Sequence, residues 1–167
     1  LAAACASASA AEPLGQIETL PAQSGPHWVW VSDILLKRAA LIDADGGRFL
    51  GMLLGGGSGI LAPQRSRDGR EIYQAETFYT RGTRGERTDI VSITDALTLQ
   101  PKGEVVIPPT RCEHTSWVAG SALSDDGRFF AVFNMNPGTS LSIVNVAERR
   151  FVAEIDTPGC SLVYAAG

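Results

Sequence analysis

Two short patterns recur along this chain at spacings of 50 to 58 residues, and they limit its possible folds more than any other feature. Ser66-Arg-Asp-Gly-Arg70 returns as Ser124-Asp-Asp-Gly-Arg128, an offset of 58 residues (124 − 66). Leu41-Ile42-Asp43 returns as Ile93-Thr94-Asp95 and as Ile143-Val144-Asn145, with offsets of 52 (95 − 43) and 50 (145 − 95). Asp-Gly is corner chemistry: glycine accepts backbone angles that other residues resist, and the aspartate bonds its own turn. Each Asp-Gly feeds an apolar run, Glu71–Thr80 or Phe129–Asn136. Each member of the second set is followed by a turn and another strand: Arg48–Leu54, Gly103–Ile107 and Arg150–Ile155. The unit is strand, Asp-Gly turn, strand, loop, strand, turn, strand. Four strands repeating every roughly 40–50 residues is the pattern of propeller blades, in an order that a two-sheet sandwich would not repeat.

Between these landmarks the chain reads as strand and turn. His27–Asp33 alternates and is rich in β-formers, Ala39–Asp45 is a second strand, and Gly46-Gly47 makes a tight turn into Arg48–Leu54. Gly55-Gly-Gly-Ser-Gly59 is a flexible loop with no side chains to pack, and Ser161–Tyr164 is strand-like. Residues 11–26 form an irregular arm, and 27–167 form the propeller domain. Propellers have typically 4–8 blades, whereas 167 residues hold about three. The chain is therefore expected to be an incomplete arc, part of a longer protein, with end sheets that expose apolar faces.

The first residues bear on destination. Leu1–Ala10 reads as the tail of a secretory signal with an A-x-A cleavage site at Ala8-Ser9-Ala10; an unstructured Ala/Ser leader is the plain alternative. A lipoprotein cysteine at Cys5 fits less well, because the leucine stands four residues ahead of it rather than three. Export would place the mature chain in an oxidising compartment. No run approaches the roughly 18 apolar residues of a membrane span. The net charge of −4 and pI near 5.1 argue against a nucleic-acid binder.

Self-sufficient catalytic chemistry is absent from the pattern. There is no dinucleotide or phosphate loop, no His-Glu-x-x-His and no Cys-x-x-Cys. Cys112-Glu113-His114 suggests a metal or a nucleophile. With two histidines in the chain, and His27 distant in sequence, it reads better as a polar loop. Asp125-Asp126 belongs to a repeated corner. Trp28 and Trp30 share one face of a strand, and Trp117 could join them, yet sheet packing accounts for the pair. Cys112 and Cys160 could bridge each other, or either could have a partner elsewhere.

The stretch with most chemical character is Phe78–Asp95, Phe-Tyr-Thr-Arg-Gly-Thr-Arg-Gly-Glu-Arg-Thr-Asp-Ile-Val-Ser-Ile-Thr-Asp. Its three guanidiniums and two acids (Arg81, Arg84, Arg87, Glu86, Asp89) suggest a charged knot between two strands, using the planar multi-donor bonding that lysine lacks. With Leu97-Thr-Leu99 and Val105-Val-Ile-Pro108, this stretch closely resembles the heavy chain of the quinoprotein amine dehydrogenases, the methylamine and aromatic amine dehydrogenase family. Arg84-Gly85-x-Arg87-x-Asp89 is its most specific part. Val29-Trp-Val-Ser-Asp33, Gly47-Arg-Phe-Leu-Gly-Met52, Asp126-Gly127 and Ser140-Leu-Ser-Ile-Val-Asn-Val146 add to the likeness, which runs from about Trp28 to Gly167 and matches only the N-terminal portion of such a chain.

The resemblance implies an all-β, seven-bladed β-propeller in the periplasm. It implies a small light chain carrying tryptophan tryptophylquinone, and an assembly of two heavy and two light chains. The quinone would oxidise primary amines to aldehydes and ammonia, a light-chain carboxylate taking the α-proton and a small copper protein, amicyanin- or azurin-like, taking the electrons. This chain would supply no catalytic, cofactor-binding or metal-binding residue. It would hold the light chain and help wall the substrate channel. The resemblance also places the partner of Cys160 beyond Gly167, and leaves control of amine size at Gly55–Ile60 without the family's aromatic side chain. Arg84, Arg87 and Asp89 are candidates for a light-chain contact or for a brace within the chain. The alternative function is a secreted propeller that binds a partner without redox activity.

Overall fold

The computed structural model describes residues 19–21, 25–33, 35–55, 62–113 and 118–166. The signal-like segment with Cys5, most of the arm, Gly56–Ile60, His114 and Trp117 lie outside the described residues. Three antiparallel sheets follow one another along the chain. The first holds β1 (Trp28–Asp33), β2 (Arg38–Asp43) and β3 (Arg48–Leu54). The second holds β4 (Gln64–Arg65), β5 (Glu71–Tyr79), β6 (Arg87–Asp95) and β7 (Pro101–Ile107). The third holds β8 (Ser121–Leu123), β9 (Phe129–Asn134), β10 (Ser140–Asn145) and β11 (Arg150–Asp156). Each is a simple up-and-down meander in sequence order, so each is a propeller blade and the chain is a partial arc of a β-propeller.

The sheets stack because the middle blade buries apolar side chains on both faces, a large cluster toward the third sheet and a small one toward the first. Toward the third sheet, Tyr73, Val91, Ile93, Val105 and Ile107 interleave with Leu123, Phe130, Val132, Val144 and Val146. The Tyr73 and Phe130 rings meet at a tilt, 6.0 Å between centroids. Toward the first sheet, Ile72 and Ala96 pack on Ala39 and Leu53, with Trp30 and Leu99 beside them. Residues one apart on β5 thus serve different interfaces, as strand periodicity requires. The outer face of the first sheet leaves Val29, Val31 and Phe49 exposed. A side-chain amide laces the inner edges together: Gln64 donates to the Ser121 carbonyl at 2.6 Å and accepts from the Leu123 amide at 2.9 Å.

The sequence repeats are repeats of hydrogen bonding. At both Asp-Gly corners the serine hydroxyl donates to the aspartate (Ser66 to Asp68 and Ser124 to Asp126, each 2.6 Å), and the carboxylate accepts the second amide onward. Gly69 and Gly127 adopt φ of +73° and +72° there. The second motif ends the last strand but one of each sheet, where Asp43, Asp95 and Asn145 accept amides of the following turn. A register shift lies between the first and second residues of the motif in all three sheets, and four residues after its last residue comes a left-handed one: Gly47 (φ +61°), Leu99 (+55°), Arg149 (+52°).

Strand ends differ modestly from expectation. The second strand stops at Asp43 rather than Asp45, because Asp43 has turned its carboxylate to the Gly46 amide. The ninth stops at Asn134, before the Asn136-Pro137 turn. Ser161–Tyr164 is not a strand; Val163 makes a single backbone bond, to the Ala119 carbonyl.

Two outcomes test this account. A Cβ on Gly47 would meet nothing within 4 Å, so Gly47→Ala is expected to cost only the left-handed backbone penalty, about 1 kcal/mol in chemical denaturation. The Ser124 hydroxyl is the main reason the Asp126 carboxyl sits below its ordinary 3.8. Its stabilising effect is therefore complete above that pH and lost as pH falls through the lowered value. In Ser124→Ala, NMR titration should find Asp126 moved back toward 3.8.

Candidate functional site

The middle blade's β5–β6 hairpin carries the arginine-rich stretch at the end opposite the Asp-Gly corners. Register sets Tyr79 opposite Arg87 and Thr77 opposite Asp89. The connection, residues 80–86, closes with Thr80 N–H to Glu86 O at 3.1 Å and Arg81 N–H to Arg84 O at 3.0 Å. Gly82 and Gly85 take φ of +75° and +107°, which side chains resist.

Asp89 is fully buried, with 0% of its surface exposed. Arg87 grips it with two parallel bonds, Nε to Oδ1 at 2.9 Å and Nη2 to Oδ2 at 2.8 Å. The same guanidinium donates to the Arg111 carbonyl at 2.6 Å and pairs with Glu113 at 2.7 Å. Asp89 also accepts the Arg111 amide at 2.9 Å. The backbone at Arg111 is thus held by its N–H and its C=O at once. Arg111's own buried guanidinium donates to Thr77 Oγ1 at 3.1 Å, and burial lowers its pKa from the usual arginine range. Arg87 is shifted the other way, first by its bond to Asp89. The Tyr79 hydroxyl donates to Glu113 at 2.6 Å, which raises its pKa above the ordinary 10.

This cluster reaches the third blade as well. Residues 111 and 112 lie against β9, with Arg111 bridged to Asn134 and the Cys112 amide bonded to the Phe133 carbonyl. Only a planar fork with several donors can serve Asp89, a peptide carbonyl and Glu113 from one position. The arrangement holds the Arg111 backbone against β6. Among the described residues no group of three or more His, Cys, Asp or Glu side chains is placed to hold a metal ion.

The expected knot of three arginines is corrected by the geometry. Arg87 and Asp89 meet, but Arg81, Arg84 and Glu86 are exposed and, among the described residues, form no ion pair. A seven-residue connection projects them outward while the strand positions are drawn inward. Tyr79, Arg111 and Glu113 complete the cluster instead. Arg111-Cys112-Glu113 was the available signal, a charged run beside a strand, yet 22 residues separate Arg111 from Asp89. Cys112 is half-buried with its sulfur 3.5 Å from Met135 Sδ, and Cys160 is exposed; both are free thiols and do not bridge each other. Trp30 packs in the first interface. Asp125 crosses blades to Arg67 at 3.0 Å, and Asp126 serves its corner.

Blade topology defines this chain as a partial arc of a β-propeller. Structural likeness agrees on the fold: hydrazine synthase of Kuenenia stuttgartiensis superposes with TM-score 0.56 at 12% identity, over 79% of this chain and 34% of that one. A dihydro-heme d1 dehydrogenase superposes with TM-score 0.53 at 21% identity, over 87% and 28%. The profile of the methylamine dehydrogenase heavy chain family matches residues 32–167, and the chain belongs to that family. The methylamine dehydrogenase heavy chain of Paracoccus versutus is 30% identical over 129 residues, 75% of this chain and 29% of the relative. That of Methylorubrum extorquens is 28% identical over 125 residues, 74% and 30%. The chain thus spans about three-tenths of the length of these relatives.

Removing Arg87 strands a fully buried carboxylate. Arg87→Ala is expected to cost about 3–5 kcal/mol, and Arg87→Lys to recover only part of it. Arg84→Ala should stay within about 0.5 kcal/mol, because that side chain is exposed. Urea denaturation of the three variants checks the ranking.

Proposed function

We propose that this chain is the N-terminal portion of the heavy subunit of a periplasmic, quinone-dependent amine dehydrogenase that oxidises primary amines to aldehydes and ammonia. The observation that carries the reading is family membership across residues 32–167, which include the whole Arg87–Asp89 cluster. Tryptophan tryptophylquinone, carried by a light chain, supplies the amine oxidation, and a small copper protein accepts the electrons. Two heavy and two light chains form the assembly. Export through the Leu1–Ala10 leader accounts for the compartment, and Cys160 pairs with a cysteine beyond Gly167.

The residues of this chain position rather than react. Arg87 and Asp89 brace the β5–β6 hairpin against residues 111–113, and the brace holds the 80–86 connection in one shape. That leaves Arg81 and Arg84 at its tip with their charges directed to solvent. Exposed Leu35, Leu36 and Met135 belong to connections at the same end of the blades. Apolar side chains with free guanidiniums suit a protein partner bearing carboxylates, so Arg84 is assigned to light-chain contact and Arg87 with Asp89 to the brace.

Co-expression of the full-length protein with a light chain of the methylamine dehydrogenase family tests the reading. The expected result is co-purification of a quinone-coloured small chain and amine-dependent dye reduction. Arg84→Ala is expected to weaken that association about fivefold, equivalent to about 1 kcal/mol, without unfolding the heavy chain. A colourless, inactive pair would overturn the enzyme reading in favour of a propeller that only binds.

A further inference from the structure

Three Asp-Gly pairs lie in turns of this chain, and the fold treats one of them differently from the other two. Asp-Gly closes into a succinimide more readily than other aspartyl pairs, because glycine puts no side chain in the way of its nitrogen reaching the aspartate carboxyl. At Asp68-Gly69 and Asp126-Gly127 both reacting groups are tied into the corner. The carboxylate accepts a serine hydroxyl and the second amide onward. The glycine N–H donates to the serine carbonyl, Gly69 to Ser66 at 3.0 Å and Gly127 to Ser124 at 2.8 Å. Ring closure there would break a fully bonded corner.

Asp45-Gly46, in the exposed turn between β2 and β3, has neither restraint. Among the described residues the Asp45 carboxylate meets only the His27 ring, whose Nδ1 lies 2.8 Å from Oδ1 and 2.7 Å from Oδ2. The Gly46 N–H is directed at the Asp43 carboxylate, 3.3 Å from Oδ1, and Arg48 holds that carboxylate by its other oxygen at 2.8 Å. A base thus stands at the nitrogen that must lose a proton, and a donor stands at the carboxyl that must lose an oxygen. We infer that Asp45-Gly46 is a site of spontaneous isoaspartate formation, with Asp43 as the base at the Gly46 amide and His27 as the donor to the Asp45 carboxyl. In the first step the Gly46 nitrogen bonds to the Asp45 side-chain carbon. A carboxyl oxygen leaves as water, taking the amide proton received by Asp43 and one proton from the His27 ring in its protonated form. Water then opens the ring at either carbonyl, giving back aspartate or leaving isoaspartate. The net change is an isomerisation, with no electrons transferred. Isoaspartate lengthens the backbone between β2 and β3 and so disturbs the register of the first blade. Every group involved lies in that blade or next to it, so the inference does not rest on the subunit reading.

Incubation of the full-length protein at neutral pH and physiological temperature tests this, with digestion under mildly acidic conditions and electron-transfer fragmentation to locate isoaspartate. The expected result is isoaspartate accumulating at Asp45, with Asp68 and Asp126 at background. The same chain unfolded in urea should isomerise at all three pairs, which shows that the fold makes the selection. Asp43→Asn keeps an acceptor for the Gly46 amide but weakens the base, and should slow conversion at Asp45 about tenfold. The turn tolerates that change, since Asn145 accepts the corresponding turn's Glu148 amide at 3.0 Å in the third blade. His27→Ala, at an exposed position, should slow conversion severalfold. No isoaspartate at Asp45 overturns the inference, as does conversion of Asp68 or Asp126 at a matching rate in the folded protein. Conversion at the parent rate or faster in both Asp43→Asn and His27→Ala overturns it equally.

Discussion

The middle blade of this arc buries apolar side chains on both faces, and neither set can stand in water. Tyr73 and Ile72 are neighbours on one strand, yet one is buried against the third sheet and the other against the first. Burying apolar area on both sides is what drives the stack, at roughly 25 cal/mol per Å² removed from water. It also makes each blade's stability a property of its neighbours, as in other repeat architectures. The same logic leaves Val29, Val31 and Phe49 exposed on a face that has no sheet against it among the described residues.

Polar groups finish what packing begins, and they do so at opposite ends of the blades. At one end the corners repeat with little variation: a serine hydroxyl, an aspartate and a left-handed glycine satisfy the turn locally. At the other end the solution is singular. Asp89 is buried outright, and the peptide of Arg111 is clasped from both sides by Asp89 and Arg87. A repeated turn needs only its own residues, whereas this cluster needs three separate segments to arrive together. Beside this device, Arg81 and Arg84 stand exposed on the adjacent connection and form no ion pair among the described residues.

The sequence made most of the blade grammar legible because its signals are local. Asp43, Asp95 and Asn145 mark the same turn in three blades, with the register shift just ahead of each and the left-handed residue four positions after it. The inner strands β4 and β8 were implied by the unit, but two or three residues are too few to show a period. The site was half legible. Arg87 and Asp89 lie two apart on one strand, so their meeting needs no tertiary information. Arg81 and Arg84 belong to the same charged run and yet point away, because the hairpin reverses between them and the strand.

Read alone, the chain determined its class, its repeating unit and its family, since these rest on spacing, turn chemistry and a contiguous motif. Tertiary structure decided which charges are buried and which are free, and that Glu113 and Tyr79 join the arginine cluster. The physical reason is separation along the chain. Turn bonds close within a few residues and leave a pattern, whereas burial of a side chain depends on segments tens of residues away that only stacking of the blades brings against it.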